Sequence, residues 1–579
     1  MSKITEILTD FRILQRTVAQ FKYVSVVLFM VLCFSACSGE KPVILEFNRL
    51  WEGDIPEFHE YIMTLTEADF EGIWDVNGNY LVGVIREDDC LIGFVIGSVY
   101  DDWLPNMVKF RTIMQGGDIK TVWVMRNHSV REFDGEPVLL GNNDLVVGDF
   151  TIQRLYPRFP NVGIDFSVDA AYLVDMIEKT HPIFILEGML LDNYDEMREE
   201  YLIATSGPIS IREFYLASQR YITALRDGHM NILSLDEMGK GIEMPFVYRD
   251  GRLNLVENGD VEVTKIGGVD VSEVFHQIER LFYFENDSMR SLRLASFVRF
   301  ELMLSLAGAE IIDGNSVYIT LNENGVVSTI KADLEDNITG IRYPTRDYII
   351  RHEMREDIFY ISLARFADGA HITEVVREIR KAIRNGTRKF IIDVRGNPGG
   401  HSMVIHRLTK AMGIRIPSSG WIMRLSDLLL EQIYNGKSIK QLERHARLIT
   451  PVRWLSNGAS VVNDTLVRQP QTKSRNRHDV FASVLTDKRS FSASTYLGLL
   501  IQDGGLGNVI GEPSSNSPNM FSELLNFNLP VSRIRVGVSI RYNMRPDINA
   551  DPRMLHPDIL VPADMALETA VEFLRGLER

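Results

Sequence analysis

The chain contains 579 residues, which is too long for one ordinary hydrophobic core and predicts two to four domains. Its composition, 45% hydrophobic and 24% charged residues, is typical of a globular protein. The formal net charge of −16 argues against a nucleic-acid partner, because phosphate binding requires a basic surface and the sequence indicates none.

The N-terminal segment carries the features of an export signal. The apolar run from Tyr23 to Ala36 is shorter than the roughly 20 residues that a membrane-spanning helix needs, but it has the length of a signal-peptide core. Cys37 and a polar segment follow, and this pattern resembles a bacterial lipoprotein signal in which Cys37 is acylated and becomes the new N-terminus. A plain cleaved signal peptide and an uncleaved anchor are the alternatives. Each predicts export, and acylation predicts a lipoprotein held at a membrane of the cell envelope, periplasmic or at the cell surface.

The patterning predicts a multidomain α/β protein. Strand and turn patterns dominate the region before residue 165, and Trp74, Trp103 and Trp123 could fill a small barrel or sandwich there. Helical spacing follows, and strands alternate with helices near the C-terminus, which predicts a largely parallel sheet. The predicted divisions are a signal peptide (1–36), a β-rich accessory domain (37–165), a helical segment (166–235), a mixed α/β intermediate subdomain (236–345) and a C-terminal α/β domain (346–579).

Three serines lie where a strand gives way to a helix. Ser490, Ser492 and Ser494 follow a short β-prone apolar run that begins at Val480, and they precede a helical pattern that ends at the glycine pair after Asp503. Such a turn exposes a side chain at the carboxyl edge of a sheet, where the free amides of the new helix can stabilise an anion. The simpler alternative is that one serine only caps the helix.

Two further segments could take part in chemistry. The loop from Asp393 to Gly400 follows a predicted buried strand, and its glycines allow backbone amides to point outward. It lacks the Lys and Ser/Thr of a phosphate-binding loop, so no nucleotide is predicted. His229 lies just beyond a predicted helix end, where a histidine can also act only as a cation at the helix terminus. The histidines do not show the HExxH spacing, so the sequence predicts neither a metal nor another cofactor.

Several ordered blocks together carry a family resemblance. "FIIDVRGNPGG", "VFASVLTDKRSFSAST", "IQDGGLGNVIGEP" and "LHPDILV" resemble the signature blocks of the tail-specific (C-terminal processing) serine peptidases, including tricorn-like members. The resemblance covers about residues 348–579, and the helical block "ALRDGH" extends it back to about Phe166. The C-terminal α/β domain, 346–579, is therefore expected to be a peptidase domain of this kind.

The resemblance implies a set of site residues. The nucleophile falls on Ser492, and the oxyanion-binding amides fall on Gly399 or Gly400 and on Ala493. One branch of the family uses a Lys about 25 residues after the nucleophile, but Ser517 stands at that distance here. The tricorn-like branch uses an upstream histidine, which implies that His229 is the general base.

The acid that orients the histidine is implied less directly. Asp551 is the expected acid, and Glu512 is the competing choice. These assignments imply an exported serine endopeptidase that cleaves a polypeptide through an acyl-enzyme. The alternative is a catalytically silent surface lipoprotein that binds peptide, lipid or glycan.

Overall fold

The computed structural model divides the chain into two compact units, residues 1–160 and 161–579. The finer five-part division expected from the sequence stays a prediction. The residues that the structure describes are 55–65, 70–77, 79–87, 90–100, 102–115, 118–157, 163–232, 238–256, 261–335, 349–367, 369–424, 426–429, 459–462 and 465–577.

The first unit is built on one antiparallel sheet. Helix α1 (Ile55–Ile62) precedes nine strands. The strands are β1 (Gly72–Val76), β2 (Tyr80–Glu87), β3 (Cys90–Ser98), β4 (Val108–Gln115), β5 (Asp118–Val124), β6 (Val130–Asp134), β7 (Val138–Leu140), β8 (Asp144–Val147) and β9 (Phe150–Tyr156). Their order is β6-β5-β4-β3-β2-β1-β9-β8-β7. The predicted β-rich character is confirmed, and the three predicted core tryptophans are buried.

The second unit begins with helices and a seven-stranded sheet. Its first helices are α2 (Ser167–Thr180), α3 (Tyr194–Ala204), α4 (Ile211–Thr223), α5 (Val271–Leu281), α6 (Asp287–Phe297) and α7 (Glu301–Leu306), with a 3₁₀ turn at Pro182–Ile185. The sheet contains β10 (Gly241–Ile242), β11 (Phe246–Arg249), β12 (Arg252–Leu255), β13 (Val261–Ile266), β14 (Val269–Asp270), β15 (Ser316–Glu323) and β16 (Val326–Glu335). A capping box between Ser210 and Glu213 fixes the start of α4, and the chain beyond its end leads to His229.

A six-stranded sheet forms the centre of the second unit. Its strands are β17 (Ile350–Arg355), β18 (Ile358–Leu363), β19 (Lys389–Asp393), β25 (Phe481–Thr486), β26 (Gly507–Gly511) and β29 (Ile559–Leu560). Only β17 is antiparallel to its neighbour, and the others are parallel. Helices α8 (Ala370–Arg384), α9 (Met403–Ala411), α10 (Ala493–Asp503) and α11 (Ala566–Gly576) supply apolar residues to the two cores of this sheet. Because Asp393 pairs with Leu485, the loops after β19 and β25 leave the same edge.

A five-stranded antiparallel sheet completes the second unit. Its strands are β21 (Gly420–Arg424), β22 (Ala459–Val462), β23 (Thr465–Arg468), β27 (Met520–Asn528) and β28 (Arg535–Met544). A short pair, β20 (Ile414–Arg415) and β24 (Arg475–Asn476), lies outside it. The described parts of the segment from Gly413 to His478 contain the strands β20 to β24.

The predicted export signal and its lipidation site, Cys37, lie outside the described residues. Within the described ranges, no helix combines the length and the apolar composition that crossing a membrane requires.

Candidate active site

The turn between β25 and α10 holds Ser492 in an unusual backbone conformation. Ser492 immediately precedes the first residue of α10 and has φ 53° and ψ −113°. A positive φ is uncommon for a residue with a side chain and persists only where the surroundings enforce it. The Ser492 amide donates to Asn516 Oδ1 over 2.8 Å, which helps to hold this geometry. The predicted strand-to-helix turn is therefore present, and Ser492 lies at its apex.

The two neighbouring serines have other partners. Ser490 Oγ donates to the Val394 carbonyl over 2.8 Å, and Ser494 Oγ donates to the Asn397 carbonyl over 2.9 Å. Both residues are fully buried. They attach the serine turn, residues Ser490 to Ser494, to the loop after β19. The Ser492 side chain, in contrast, is half-buried and makes no cap hydrogen bond to α10. Of the three serines, Ser492 is the one whose hydroxyl is free to react.

The loop from Asp393 to Gly400, called the glycine loop below, packs directly against the serine turn. Gly399 has φ +99°, and a Cβ atom built on it would lie 2.8 Å from the Cβ of Ser492 and 2.8 Å from the Phe491 carbonyl oxygen. The Asn397 side chain organises the loop: its Nδ2 donates to the Leu363 carbonyl, and its Oδ1 accepts from the Gly399 amide over 2.8 Å. Glycine is thus required here for close approach as well as for backbone conformation.

The predicted oxyanion-binding amides differ in their availability. The Gly399 amide donates to Asn397 Oδ1, so it is already engaged within its own loop. Ala493 is the first residue of α10, where an amide has no acceptor within its own helix. Gly400 and Ala493 both line the cavity beside Ser492. The geometry therefore favours the Gly400 and Ala493 amides over that of Gly399.

The histidine expected from the sequence lies beside Ser492. His229 Nε2 is 3.3 Å from Ser492 Oγ, and the His229 side chain is 12% exposed. Its ring contacts the Phe491 ring, with 4.9 Å between centroids. Burial lowers the pKa of His229, partly opposed by the charge of Asp227. The imidazole is therefore neutral at neutral pH and can accept a proton.

Two buried carboxylates flank the other nitrogen of this histidine. His229 Nδ1 lies 3.8 Å from Glu285 Oε1 and 3.9 Å from Asp227 Oδ1, and it has no hydrogen-bond partner among the described residues. A ring nitrogen between two carboxylates is the preferred position for the single proton of a neutral imidazole. Nε2 is then left as the acceptor that faces the Ser492 hydroxyl.

Glu285 comes from the loop between α5 and α6. Its Oε2 accepts from the Ser517 amide over 2.8 Å and from Asn516 Nδ2, the same Asn516 that accepts from the Ser492 amide. Gly228 permits this approach, because a Cβ atom there would lie 2.3 Å from Glu285 Oε1. Burial, with the charge of Asp227 adding to it, raises the pKa of Glu285 to about 7.

Asp227 is fully buried and belongs to a second histidine pair. Its Oδ1 accepts from the His229 amide over 2.8 Å, and its Oδ2 lies 3.3 Å from His181 Nε2. His181 Nδ1 accepts from the Ile183 amide, so its Nε2 carries the proton and donates to Asp227. Burial favours the neutral acid, but the hydrogen bond that His181 donates opposes this effect, and the pKa of Asp227 is lowered.

Asp227, His229 and Glu285 place possible ligand atoms within 4.8 Å of one another, so they could also hold a metal ion. The contacts already described account for the burial of both carboxylates without one. Each accepts at least two hydrogen bonds from the protein, which offsets the cost of removing a charge from water.

The acid expected from the sequence lies elsewhere. Asp551 Oδ2 is 2.8 Å from His556 Nε2, and Asp551 Oδ1 accepts from the Arg553 amide over 2.8 Å. The competing residue, Glu512, lines a different cavity. Within the described residues, the carboxylates within 4.0 Å of the His229 ring are those of Asp227 and Glu285.

Sequence reasoning missed Glu285 altogether. Nothing in its local pattern indicates a site, since a single acid before the start of α6 resembles any helix-flanking charge. Asp227 could have been suspected, because it stands two residues before His229 in "RDGH".

Residues 357–560 match the family model of peptidase family S41. No curated protein sequence is significantly similar to the chain.

Among solved structures, mature CPAF is 12% identical with a TM-score of 0.47, covering 71% of this chain and 95% of its own. The photosystem II D1 C-terminal processing protease is 11% identical with a TM-score of 0.36, covering 71% of this chain and 97% of its own. The tricorn protease is 12% identical with a TM-score of 0.28, covering 86% of this chain and 44% of its own.

Proposed function

We propose that this chain, a serine-type peptidase whose residues 357–560 form a peptidase family S41 domain, cleaves peptide bonds through an acyl-enzyme on Ser492 with His229 as general base. The family match confirms the resemblance to tail-specific peptidases and implies a polypeptide substrate. The observation that carries the proposed mechanism is the 3.3 Å separation of His229 Nε2 and Ser492 Oγ. This is within the reach expected of a nucleophile and its base before substrate binds.

Acylation follows from this arrangement. Nε2 of His229 accepts the hydroxyl proton as Ser492 Oγ attacks the carbonyl carbon of the scissile bond. The carbonyl oxygen becomes an oxyanion, which the Gly400 and Ala493 amides stabilise, and each such donor contributes on the order of 10² to 10³ in rate. The imidazolium then gives its proton to the leaving amine, and a water molecule repeats the sequence to release the acyl group.

Glu285, rather than Asp551, is the acid we assign to the histidine. It lies nearest to Nδ1, and Asn516 joins it to the Ser492 amide, so the acid and the nucleophile share one support. The proton on Nδ1 makes His229 an imidazolium once Nε2 has accepted the serine proton. A negative charge on Glu285, with that of Asp227 beside it, stabilises this cation.

Export and lipid attachment belong to the same proposal. The apolar segment before Cys37 supports secretion, and acylation of Cys37 would hold the enzyme at a membrane of the cell envelope. The mature protein should then separate with membranes, and Cys37→Ala should move it to the soluble fraction. Because one acyl chain binds a membrane only weakly, the fractionation is best done at low dilution. Soluble wild-type protein would contradict the attachment and leave the peptidase assignment untouched.

Labelling with a fluorescent fluorophosphonate tests the mechanism. The wild-type chain should take up one label, Ser492→Ala should take up none, and Ser272→Ala, which changes an exposed serine on α5, should label as wild type does. An unfolded protein substrate should be cleaved by the same two labelled proteins. A folded wild-type chain that neither labels nor cleaves would favour the silent, peptide-binding alternative.

A further inference from the structure

A cavity of about 800 Å³ opens beside Ser492. One wall is formed by Gly400 and His401 of the glycine loop, and another by Ala493 and Tyr496 of α10. Helix α9, the chain from β20 to the start of β21, and strands β21, β23, β27 and β28 supply further lining residues. The volume is in the range of pockets that bind small ligands or side chains. A substrate residue next to the scissile bond therefore has room to insert its side chain here.

The charge of this cavity is opposite to that of the chain. Among the described residues that line it, Glu523 is the only acid, whereas four residues carry permanent positive charges: Lys410, Arg415, Arg468 and Arg541. The chain as a whole has a net charge of −16. A positive cavity in an acidic protein concentrates and orients negatively charged groups.

Two of these cations are held in place by neighbouring side chains. Arg468 Nη2 donates to Ser418 Oγ over 3.0 Å, and no carboxylate of the described residues pairs with it. The Arg541 guanidinium lies 5.0 Å from the Trp421 ring centroid and pairs with Glu523, whose side chain is 51% exposed. A guanidinium that is already positioned loses little conformational entropy when it binds a second partner.

Both guanidinium groups line the same cavity as Ser492 and Tyr496. Burial raises the pKa of Tyr496, and the charges of Arg541 and Arg468 oppose that rise. Tyr496 lies one helical turn after Ser492, and its amide donates to the Ser492 carbonyl over 2.9 Å. The positive charges are thus close to the proposed reacting centre.

We propose that this cavity recognises the side-chain carboxylate of an Asp or Glu residue that flanks the scissile bond, with Arg468 as its principal partner. Arginine is suited to this role because its planar group can form two parallel hydrogen bonds to one carboxylate. The inference rests on the proposed function only for the position of the scissile bond. It predicts that the enzyme prefers acidic peptides.

Cleavage of a randomised peptide library by the wild-type full chain tests the preference, with products sequenced by mass spectrometry. The peptides are acetylated and amidated, so that no terminal carboxylate is present. We expect Asp and Glu to be enriched at one position beside the cut. In a matched pair of peptides, kcat/KM for Glu should exceed that for Gln by roughly 10-fold or more, as for hydrogen bonds to charged groups. Cleavage without acidic enrichment, or a preference that requires a free C-terminus, would overturn the proposal.

Substitution of the arginine identifies the partner. In the Arg468→Gln variant, kcat/KM for the Glu peptide divided by kcat/KM for the Gln peptide should fall close to one. Fluorophosphonate labelling of Ser492 should persist. Arg468→Glu should favour Lys at the same position, a reversal that partial unfolding could not produce. Arg377→Gln, which removes an exposed arginine of α8, should keep the wild-type ratio. An unchanged ratio in Arg468→Gln would refute the assignment of Arg468, and an unchanged ratio in Arg541→Gln as well would refute recognition by this cavity.

A binding measurement separates this proposal from the mechanism. Full-length Ser492→Ala protein is titrated with fluorescein-labelled, amidated hexaglutamate and with the matching hexaglutamine. Tighter binding of hexaglutamate that Arg468→Gln abolishes would support the acidic preference even if Ser492 failed to label. Equal affinities for the two peptides would overturn it even if Ser492 labelled fully.

Discussion

Nε2 of His229 lies 3.3 Å from Oγ of Ser492, although 263 positions separate the two residues in the chain. The contact joins two remote parts of the fold: the chain beyond the C-terminal end of α4, and a turn at the carboxyl edge of the parallel sheet. A polar contact between such remote segments has no role in starting either element. A role in the proposed reaction explains this contact better than a role in folding does.

The first prediction concerns His229 itself. In His229→Gln the hydroxyl of Ser492 loses its proton acceptor, so kcat should fall by about 10³-fold or more while KM changes little. Steady-state kinetics on a quenched peptide substrate measures both constants. His276→Gln, on the exposed face of α5, is the matched control and should retain wild-type kcat. A loss of less than about 10-fold in His229→Gln would show that another group serves as the base.

The second prediction concerns the role of Glu285 and is read from pH dependence. Burial raises the pKa of Glu285 to about 7, and its charge is needed to stabilise the imidazolium. In the wild type, kcat/KM should therefore fall as the pH drops through about 7. In Glu285→Gln that step should disappear. The remaining fall of kcat/KM on the acid side of the pH profile should occur at a lower pH, because burial lowers the pKa of His229. The activity plateau should fall by about 10² to 10⁴-fold.

Asp551→Asn is the matched control for Glu285, because each change removes one carboxylate charge. Asp551 pairs with the exposed His556, and its loss should leave the pH profile unchanged and kcat within a few-fold of wild type. If Asp551→Asn removed the acid step and Glu285→Gln did not, the acid inferred from the family resemblance would be correct and our assignment wrong.

The third prediction is that Glu285 costs stability. Its pKa is raised from 4.5 to about 7 in the folded state, so the folded chain holds this proton more tightly than the unfolded chain does. The free energy of unfolding should therefore decrease as the pH rises from about 4.5 to 7. At pH 8 the full cost is up to about 3 kcal/mol. In Glu285→Gln the thermal midpoint should decline less over this interval, and parallel curves for the two proteins would contradict the prediction.

The local parts of the site could be predicted from the sequence. The apolar run before Ser490 and the helical spacing after Ser494 place Ser492 at a turn, and the glycines after Asp393 predict a loop of close approach. Both depend on neighbours within a few residues. Hydrophobic period and glycine position report such features directly.

The position of Glu285, the acid we propose, could not be predicted, because contacts between distant segments determine it. Glu285 reaches His229 through a loop between two helices and is held by the Ser517 amide. Hydrophobic periodicity reports local structure and does not indicate which distant loops contact each other. The family resemblance implied Asp551 as the acid instead, but the Asp551 carboxylate contacts His556.

The fourth prediction concerns the buried pair of His181 and Asp227, both fully buried. Removing the histidine leaves a buried carboxylate without its main partner, and such a change costs about 3 to 5 kcal/mol. His181→Phe should lower the free energy of unfolding by this amount in urea denaturation. Among molecules that remain folded, kcat should fall more than KM rises, because Asp227 holds the His229 backbone amide.

His556→Ala is the control for that pair. It breaks a histidine–aspartate contact of similar length, 2.8 Å against 3.3 Å, at an exposed position. Exposed pairs contribute about 0 to 1 kcal/mol to stability, so we expect little change in the free energy of unfolding. Equal losses in the two variants would mean that burial does not distinguish the pairs.

The fifth prediction separates backbone strain from steric conflict in the glycine loop. Gly399 (φ +99°) and Gly386 (φ +94°) have nearly the same positive φ, so alanine introduces strain about this angle at either position. A Cβ atom at Gly386 meets no atom within 4 Å, whereas one at Gly399 lies 2.8 Å from the Ser492 Cβ. Gly399→Ala should displace the neighbouring Gly400 amide from the oxyanion position and lower kcat by about 10² to 10³-fold. Gly386→Ala should lose comparable stability but keep its activity, and an equal loss of kcat in both would show that strain alone is responsible.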